Sequence, residues 1–161
     1  MHKTNVMRML DKAKITYTVK EYEVDESDLS GIHVAESVGM DTDMVFKTLV
    51  AKGDKTGFCV FCIPCAEELD LKKAAKVSGN KRVELLPLKD LLPTTGYIRG
   101  GCSPIGMKKQ FPTFINETAM LFYEIAISGG MRGVQVILSP DTLNDFIGSS
   151  YADLTVDRGV L

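Results

Sequence analysis

The chain has 161 residues, a hydrophobic share of 45%, a charged share of 25% and a formal net charge of −2. That is the balance of an ordinary soluble globular protein, with a length suited to one domain and one core across residues 1–161. A charge so near neutrality excludes a general polyanion binder, so any contact with nucleic acid needs a local basic face and the help of a partner. The start, Met1 to Asn5, leads into no apolar run of signal-peptide type, and the longest apolar run, Phe58 to Cys65, is too short to cross a bilayer. A cytoplasmic chain that touches no membrane is expected.

In chain order, Thr4 caps a helix whose apolar residues Val6, Met9, Leu10 and Ala13 recur at helical spacing. Ile15 to Tyr22 alternates as a strand, which puts Tyr22 on the face opposite Tyr17. A short helix from Ile32 to Val38 stops at Gly39. Val45–Lys52 and Phe58–Ile63 are strands joined at Asp54–Gly57, and the second is apolar on both faces, as a central strand is. Asp70 caps a helix that closes at Gly79. A short strand at Val83–Leu85 precedes a helical turn or two from Pro87 to Leu92.

Tyr97 and Ile98 look like a strand end leading into Gly100-Gly101-Cys102-Ser103-Pro104, and Thr113–Ile115 is strand again. Leu121–Ser128 pairs with Val134–Leu138 around Gly129–Gly133. Ser139-Pro140 then opens a last helix to about Phe146. Strands that come partly in hairpins predict a mixed α/β fold, a mixed sheet or closed barrel with helices outside.

Few residues could carry chemistry. Both faces of the Val45–Lys52 strand are largely apolar, so the Lys47 ammonium needs an anion, carbonyl oxygens or a wet pocket, unless it snorkels from an edge. Gly101-Cys102-Ser103 imitates a nucleophile elbow. The oxyanion donor, however, would be the amide of the residue after Ser103, and Pro104 has none. Cys59 and Cys62 lie three apart on a strand and face opposite sides, so with Cys65 they form no metal site. Lys72, Lys73 and Lys76 with Lys81 and Arg82, and Lys108 with Lys109, are solvated faces or a footprint for an RNA backbone.

Four blocks sharpen this picture: VFKTLV at Val45–Val50, ELDLKKAAKVSG at Glu68–Gly79, the glycine stretch Gly96–Asn116 and ISGGMRG at Ile127–Gly133. In this order they resemble the YbaK/EbsC family of Cys-tRNA(Pro) deacylases, relatives of the editing domain of prolyl-tRNA synthetases, from about Tyr22 to Leu154. The resemblance implies a barrel-like mixed sheet flanked by helices. It also implies an enzyme of aminoacyl-tRNA editing that needs no cofactor or metal, binds no DNA and works beside prolyl-tRNA synthetase.

It further implies roles by position. Lys47 is the catalytic lysine, and Gly100 and Gly101 offer backbone N–H groups to the substrate carbonyl. Tyr22, Thr48, Cys102, Ser103, Ser128 and Gln135 line the substrate pocket. Lys72, Lys73, Lys108, Lys109 and Arg132 meet the tRNA. Some members carry Asp where this chain has Gln135.

The implied chemistry is substrate-assisted: the cysteinyl thiol attacks its own ester carbonyl and releases tRNA and a thiolactone. Because that ring has four members, attack by water is the fallback. An Ala- or Ser-tRNA(Pro) hydrolase and a non-catalytic tRNA- or synthetase-binding module are the alternatives. A lysine on an inward strand face speaks against the module.

Overall fold

The computed structural model describes residues 2–158. They form helices α1 (Asn5–Lys12), α2 (Gly31–Val38), α3 (Leu71–Ser78), α4 (Leu88–Thr95) and α5 (Pro140–Ile147). The strands are β1 (Thr18–Glu21), β2 (Phe46–Gly53), β3 (Gly57–Pro64), β4 (Val83–Leu85), β5 (Thr113–Asn116), β6 (Ile125–Ser128), β7 (Val134–Leu138) and β8 (Ser150–Ala152). None of these helices is long and apolar enough to cross a membrane.

α1, α3 and α5 start where the sequence places caps, and Ser30, which it did not single out, caps α2. The side chains of Thr4, Ser30, Asp70 and Ser139 each accept a hydrogen bond from a first-turn amide, a donor the helix itself leaves unpaired. α4 runs past Leu92 and carries Pro93 inside it, ending only at Gly96. Its last turn has side-chain support: the Thr95 hydroxyl donates to the Leu91 carbonyl at 2.8 Å within the helix, and from outside it the Lys108 ammonium donates to the Pro93 carbonyl at 3.2 Å.

Two sheets form, with strand orders β1-β7-β6 and β4-β2-β3-β5-β8. The first is antiparallel throughout, while β5 runs parallel to both β3 and β8, so the fold is mixed as expected. β3 is buried on both faces. Val60 and Cys62 enter the large core with β6, β7 and α1, whereas Cys59, Phe61 and Ile63 pack under α3. Cys59 and Cys62 therefore do lie on opposite sides.

The sheet does not close into a barrel. Among the described residues, backbone pairing joins the two sheets only at the parallel bridge Val45↔Ala126, because the outer edge of β2 is divided between two partners. The Cys65 amide donates to the Val45 carbonyl at 2.8 Å, which sets the phase: odd residues of β2 bond to β3 and even ones point outward. At one end of that outer edge the Ala126 amide donates to the Met44 carbonyl at 2.8 Å, and at the other the Leu86 amide donates to the Val50 carbonyl at 2.9 Å. Thr48 lies between them, its backbone N–H and C=O aimed into a gap.

Two further expectations are corrected, and one strand was not foreseen. Tyr97 and Ile98 belong to no strand; they open a long loop, which the Tyr97 hydroxyl ties down by donating to the Ile105 carbonyl. Residues 117–121 form a 3-10 turn and the hairpin strand begins only at Ile125. There Asn116 redirects the chain, its amide donating to the Thr118 hydroxyl at 2.9 Å while its carbonyl oxygen accepts from the Leu154 amide at 2.9 Å. β8 has no counterpart in the sequence reading, since three residues carry too little pattern to stand out.

The β2–β3 turn depends on one buried amide. Asn80 Oδ1 accepts from the Lys55 and Thr56 amides at 2.9 and 3.0 Å, and Nδ2 donates to the Thr56 and Ser78 hydroxyls, both at 2.9 Å. Gly53 leaves room for it: a Cβ there would stand 2.2 Å from Asn80 Nδ2. Asn80→Ala is expected to lower stability by about 1–3 kcal/mol, as two amides lose their acceptor. Urea denaturation measures this, and an unchanged midpoint would show that the turn holds without Asn80.

Candidate functional site

The gap in the β2 edge opens into a cavity of about 430 Å³. Its floor is Val45–Val50, lined from both faces of the strand because the edge itself is exposed. Leu29–Ile32 and Val34 form one wall, Leu85, Leu86, Leu88 and Leu91 the other, and Arg99, Gly100, Cys102, Ser128 and Gln135 the far end. Leu85 and Leu88, 49% and 59% exposed, make the mouth apolar.

Lys47 is the charge at its centre. Half-burial holds its ammonium below the usual lysine range, offset in part by Cys65, Glu67 and Glu68 nearby. Glu67 is itself paired with Arg158 at 3.1 Å. Cys65, for which the sequence suggests no role, follows β3 opposite Val45 and lines the cavity beside Lys47. Burial raises its thiol pKa and the lysine partly reverses this. The strand register is the signal that could have found it.

The glycine loop is positioned by the β6–β7 turn. Arg132 Nε donates to the Arg99 carbonyl at 2.8 Å. A Cβ on Gly101 would lie 3.1 Å from Met131 Cα, so only glycine sits comfortably there. Gly100 has φ +85 and lines the cavity. Gly101 does not fill the role expected of it, because its N–H already donates to the Ile98 carbonyl at 3.0 Å, closing a turn.

The sequence profile of the aminoacyl-tRNA editing domain matches residues 31–146, which contain all of the cavity lining except Leu29 and Ser30. The chain belongs to the aminoacyl-tRNA editing family. Over 153 residues, 95% of this chain and 93% of the relative, it is 52% identical to EbsC of Enterococcus faecalis, by name a candidate Cys-tRNA(Pro)/Cys-tRNA(Cys) deacylase. Among solved structures, a candidate trans-editing enzyme for prolyl-tRNA synthetase superposes at TM-score 0.80 and 23% identity, covering 97% of this chain and 100% of that one. The hypothetical protein APE2540 does so at 0.86 and 19%, covering 95% and 100%. At these identities the two structures speak for the fold alone.

In this editing domain the expected pocket residues divide. Lys47, Thr48, Gly100, Cys102, Ser128 and Gln135 come together around the cavity. Ser103 does not: it is fully buried, and its hydroxyl accepts from the Ile105 amide at 3.3 Å inside the loop. Tyr22 lies outside the cavity lining and packs beside Val34, Ala35 and Val45. Burial pushes the Cys102 thiol up to about 12, so it holds no thiolate near neutrality.

The expected RNA contacts divide too. Lys72 and Lys109 are exposed. Lys73 is held by Asp153 and Asp157 at 3.0 and 2.9 Å, Lys108 by the end of α4, and Arg132 by the loop it braces. Among the described residues, no group of three or more His, Cys, Asp or Glu is gathered for a metal.

Because folding disfavours the Lys47 ammonium, the penalty is present in full below its depressed pKa and disappears as pH rises from there towards the unfolded value of 10.5. Lys47→Met should therefore raise Tm at neutral pH, with an advantage that shrinks on going alkaline. Thermal melts across that range test this; an equal or lower Tm at neutral pH would mean that the ammonium is well solvated.

Proposed function

We propose that this editing domain is an aminoacyl-tRNA deacylase that clears Cys-tRNA(Pro) in trans, with the substrate's own thiol as nucleophile. The observation that carries the proposal is Lys47: a half-buried ammonium in an apolar cavity, beside a glycine loop and an open strand edge. Side-chain nucleophiles fit poorly. The Cys102 thiol is held protonated by burial, Ser103 is sealed in its loop, and no histidine lines the cavity.

In the proposed step the cysteinyl Sγ bonds to its own carbonyl carbon, the ester C–O bond breaks, and the thiol proton leaves with the terminal ribose hydroxyl of the tRNA. The products are a thiolactone and free tRNA. What the protein supplies is orientation and a home for the developing oxyanion. Lys47 holds or polarises the ester carbonyl, and Gly100 and Thr48 lend backbone N–H groups from the loop and the open edge. The leucines at the mouth exclude water, which strengthens each of these contacts.

Lys47→Ala should reduce deacylation of Cys-tRNA(Pro) by roughly tenfold to a hundredfold, the value of a charge-assisted contact of about 1.5–3 kcal/mol. Lys47→Arg should also be poor, since a planar guanidinium does not replace a compact ammonium. Cys102→Ala should cost much less. Rates on Cys-, Ala- and Ser-charged tRNA(Pro), with and without prolyl-tRNA synthetase, complete the test. Full activity in Lys47→Ala with a dead Cys102→Ala would mean a covalent enzyme thiol, and equal turnover of Ala and Ser esters would replace the substrate thiol by water.

The tRNA body is proposed to meet Lys72 and Lys109, with prolyl-tRNA synthetase supplying most of its recognition. On a chain of net charge −2 whose basic residues form only local patches, binding of free tRNA should be weak and fall steeply with salt. Filter binding at several salt concentrations checks this; tight, salt-insensitive binding by the isolated protein would contradict it.

A further inference from the structure

At the far end of the cavity stand two arginines with no carboxylate to meet them. Arg99 lines that end and is exposed, and among the described residues its guanidinium is in no salt bridge and no hydrogen bond. Arg132 spends its Nε on the Arg99 carbonyl at 2.8 Å, which leaves the two terminal nitrogens of its fork. Its side chain lies across Gly100, where a Cβ would stand 3.4 Å from both Arg132 Cγ and Nε. One guanidinium therefore rests on the stretch of backbone that carries the other.

The acids that could neutralise the pair are absent or engaged. No carboxylate lines the cavity among the described residues. The facing loop reaches Gly100 through Leu29, whose Cδ2 would stand 3.5 Å from a Cβ there. Its acids Asp25 and Asp28 accept from Ser27 and Ser30 instead, closing their own turns. Ile98 and Met131, the residues beside the two arginines, are exposed as well, so the pair stands at an open surface. On a chain of net charge −2, like charges left together in this way favour an anion from outside. A planar fork of N–H donors matches the oxygens of a phosphate.

The neighbouring glycine narrows which phosphate this is. Gly100 is the loop residue proposed to hold the ester carbonyl. From that carbonyl the substrate runs through the terminal ribose to the phosphodiester before it, one sugar away from Gly100 and within reach of the adjoining arginine. Resting on the deacylase reading, we infer that Arg99 and the terminal nitrogens of Arg132 bind the phosphodiester that links the last two nucleotides of the tRNA. Every aminoacyl-tRNA has this linkage, so the pair sets how the ester is seated and makes no choice between tRNAs.

The test compares Cys-tRNA(Pro) having its native last linkage with the same tRNA carrying an uncharged methylphosphonate there. Removing that charge should lower the wild-type kcat/KM roughly tenfold, as loss of a charge-assisted contact does. The change should fall on KM, because the contact is remote from the breaking bond. Arg99→Gln should show most of this loss on the native tRNA and little more on the methylphosphonate. A variant as sensitive to the methylphosphonate as wild type overturns the inference, and so does a variant with wild-type activity on the native tRNA.

A methylphosphonate one linkage further in should leave the variant-to-wild-type ratio unchanged; abolition of the ratio there would assign the arginines to a different phosphate and overturn the inference. Should Arg99→Gln fail to fold, the wild-type comparison stands alone, and equal kcat/KM on the native and last-linkage substrates overturns it. Wild type that does not cleave even the native ester above the uncatalysed rate would instead remove the deacylase reading, and this inference with it.

Discussion

The division of the β2 outer edge is the constraint on which the rest of this structure depends. A strand edge has a fixed number of outward-facing amides and carbonyls, and every one that is buried must find a partner. Here β6 takes the first of them through Met44 and β4 takes the last through Val50. Neither reaches Thr48. The fold thus leaves one stretch of unpaired backbone facing the cavity, between leucines and a helix, where a bound ester could take the missing bonds. Closing the sheet into a barrel would satisfy that backbone and remove the cavity.

The same arrangement explains why a lysine is tolerated on an otherwise apolar strand. Lys47 pairs with β3 on one side only, shares a strand face with Val45 and Leu49, and lines the cavity left by the open outer edge. Its environment is set against the charged form without abolishing it. Fold and chemistry are in tension at this residue, as they commonly are where a site is organised before its substrate arrives.

Much of this was legible in the sequence, for reasons that differ by element. The helix caps Thr4, Asp70 and Ser139 act within one turn, so local chemistry is enough to find them, whereas Ser30 was lost in a polar loop. β3 was readable as central because both of its faces are apolar. The division of the β2 edge was not, because the partners of Met44 and Val50 come from residues far along the chain and no periodicity records them. Gly101 and Ser103 show the same limit: their residue types suited the site, but hydrogen bonds to Ile98 and Ile105 had already committed them. Gln135 was visible as a departure from the family pattern, while the buried, unpartnered Oε1 of its side chain became visible only in three dimensions.

The brace between Arg132 and the Arg99 carbonyl makes the β6–β7 hairpin unlike most turns. Surface hairpins ordinarily absorb insertions and deletions freely, since little depends on where their tips lie. This tip carries the Met131 backbone against Gly101 and the Arg132 side chain across Gly100. One added residue would displace both and slacken the wall of the cavity from outside. The length of the turn from Gly129 to Gly133 is therefore as much a part of the site as the residues that face the substrate, and loop grafting in this fold has to leave it alone.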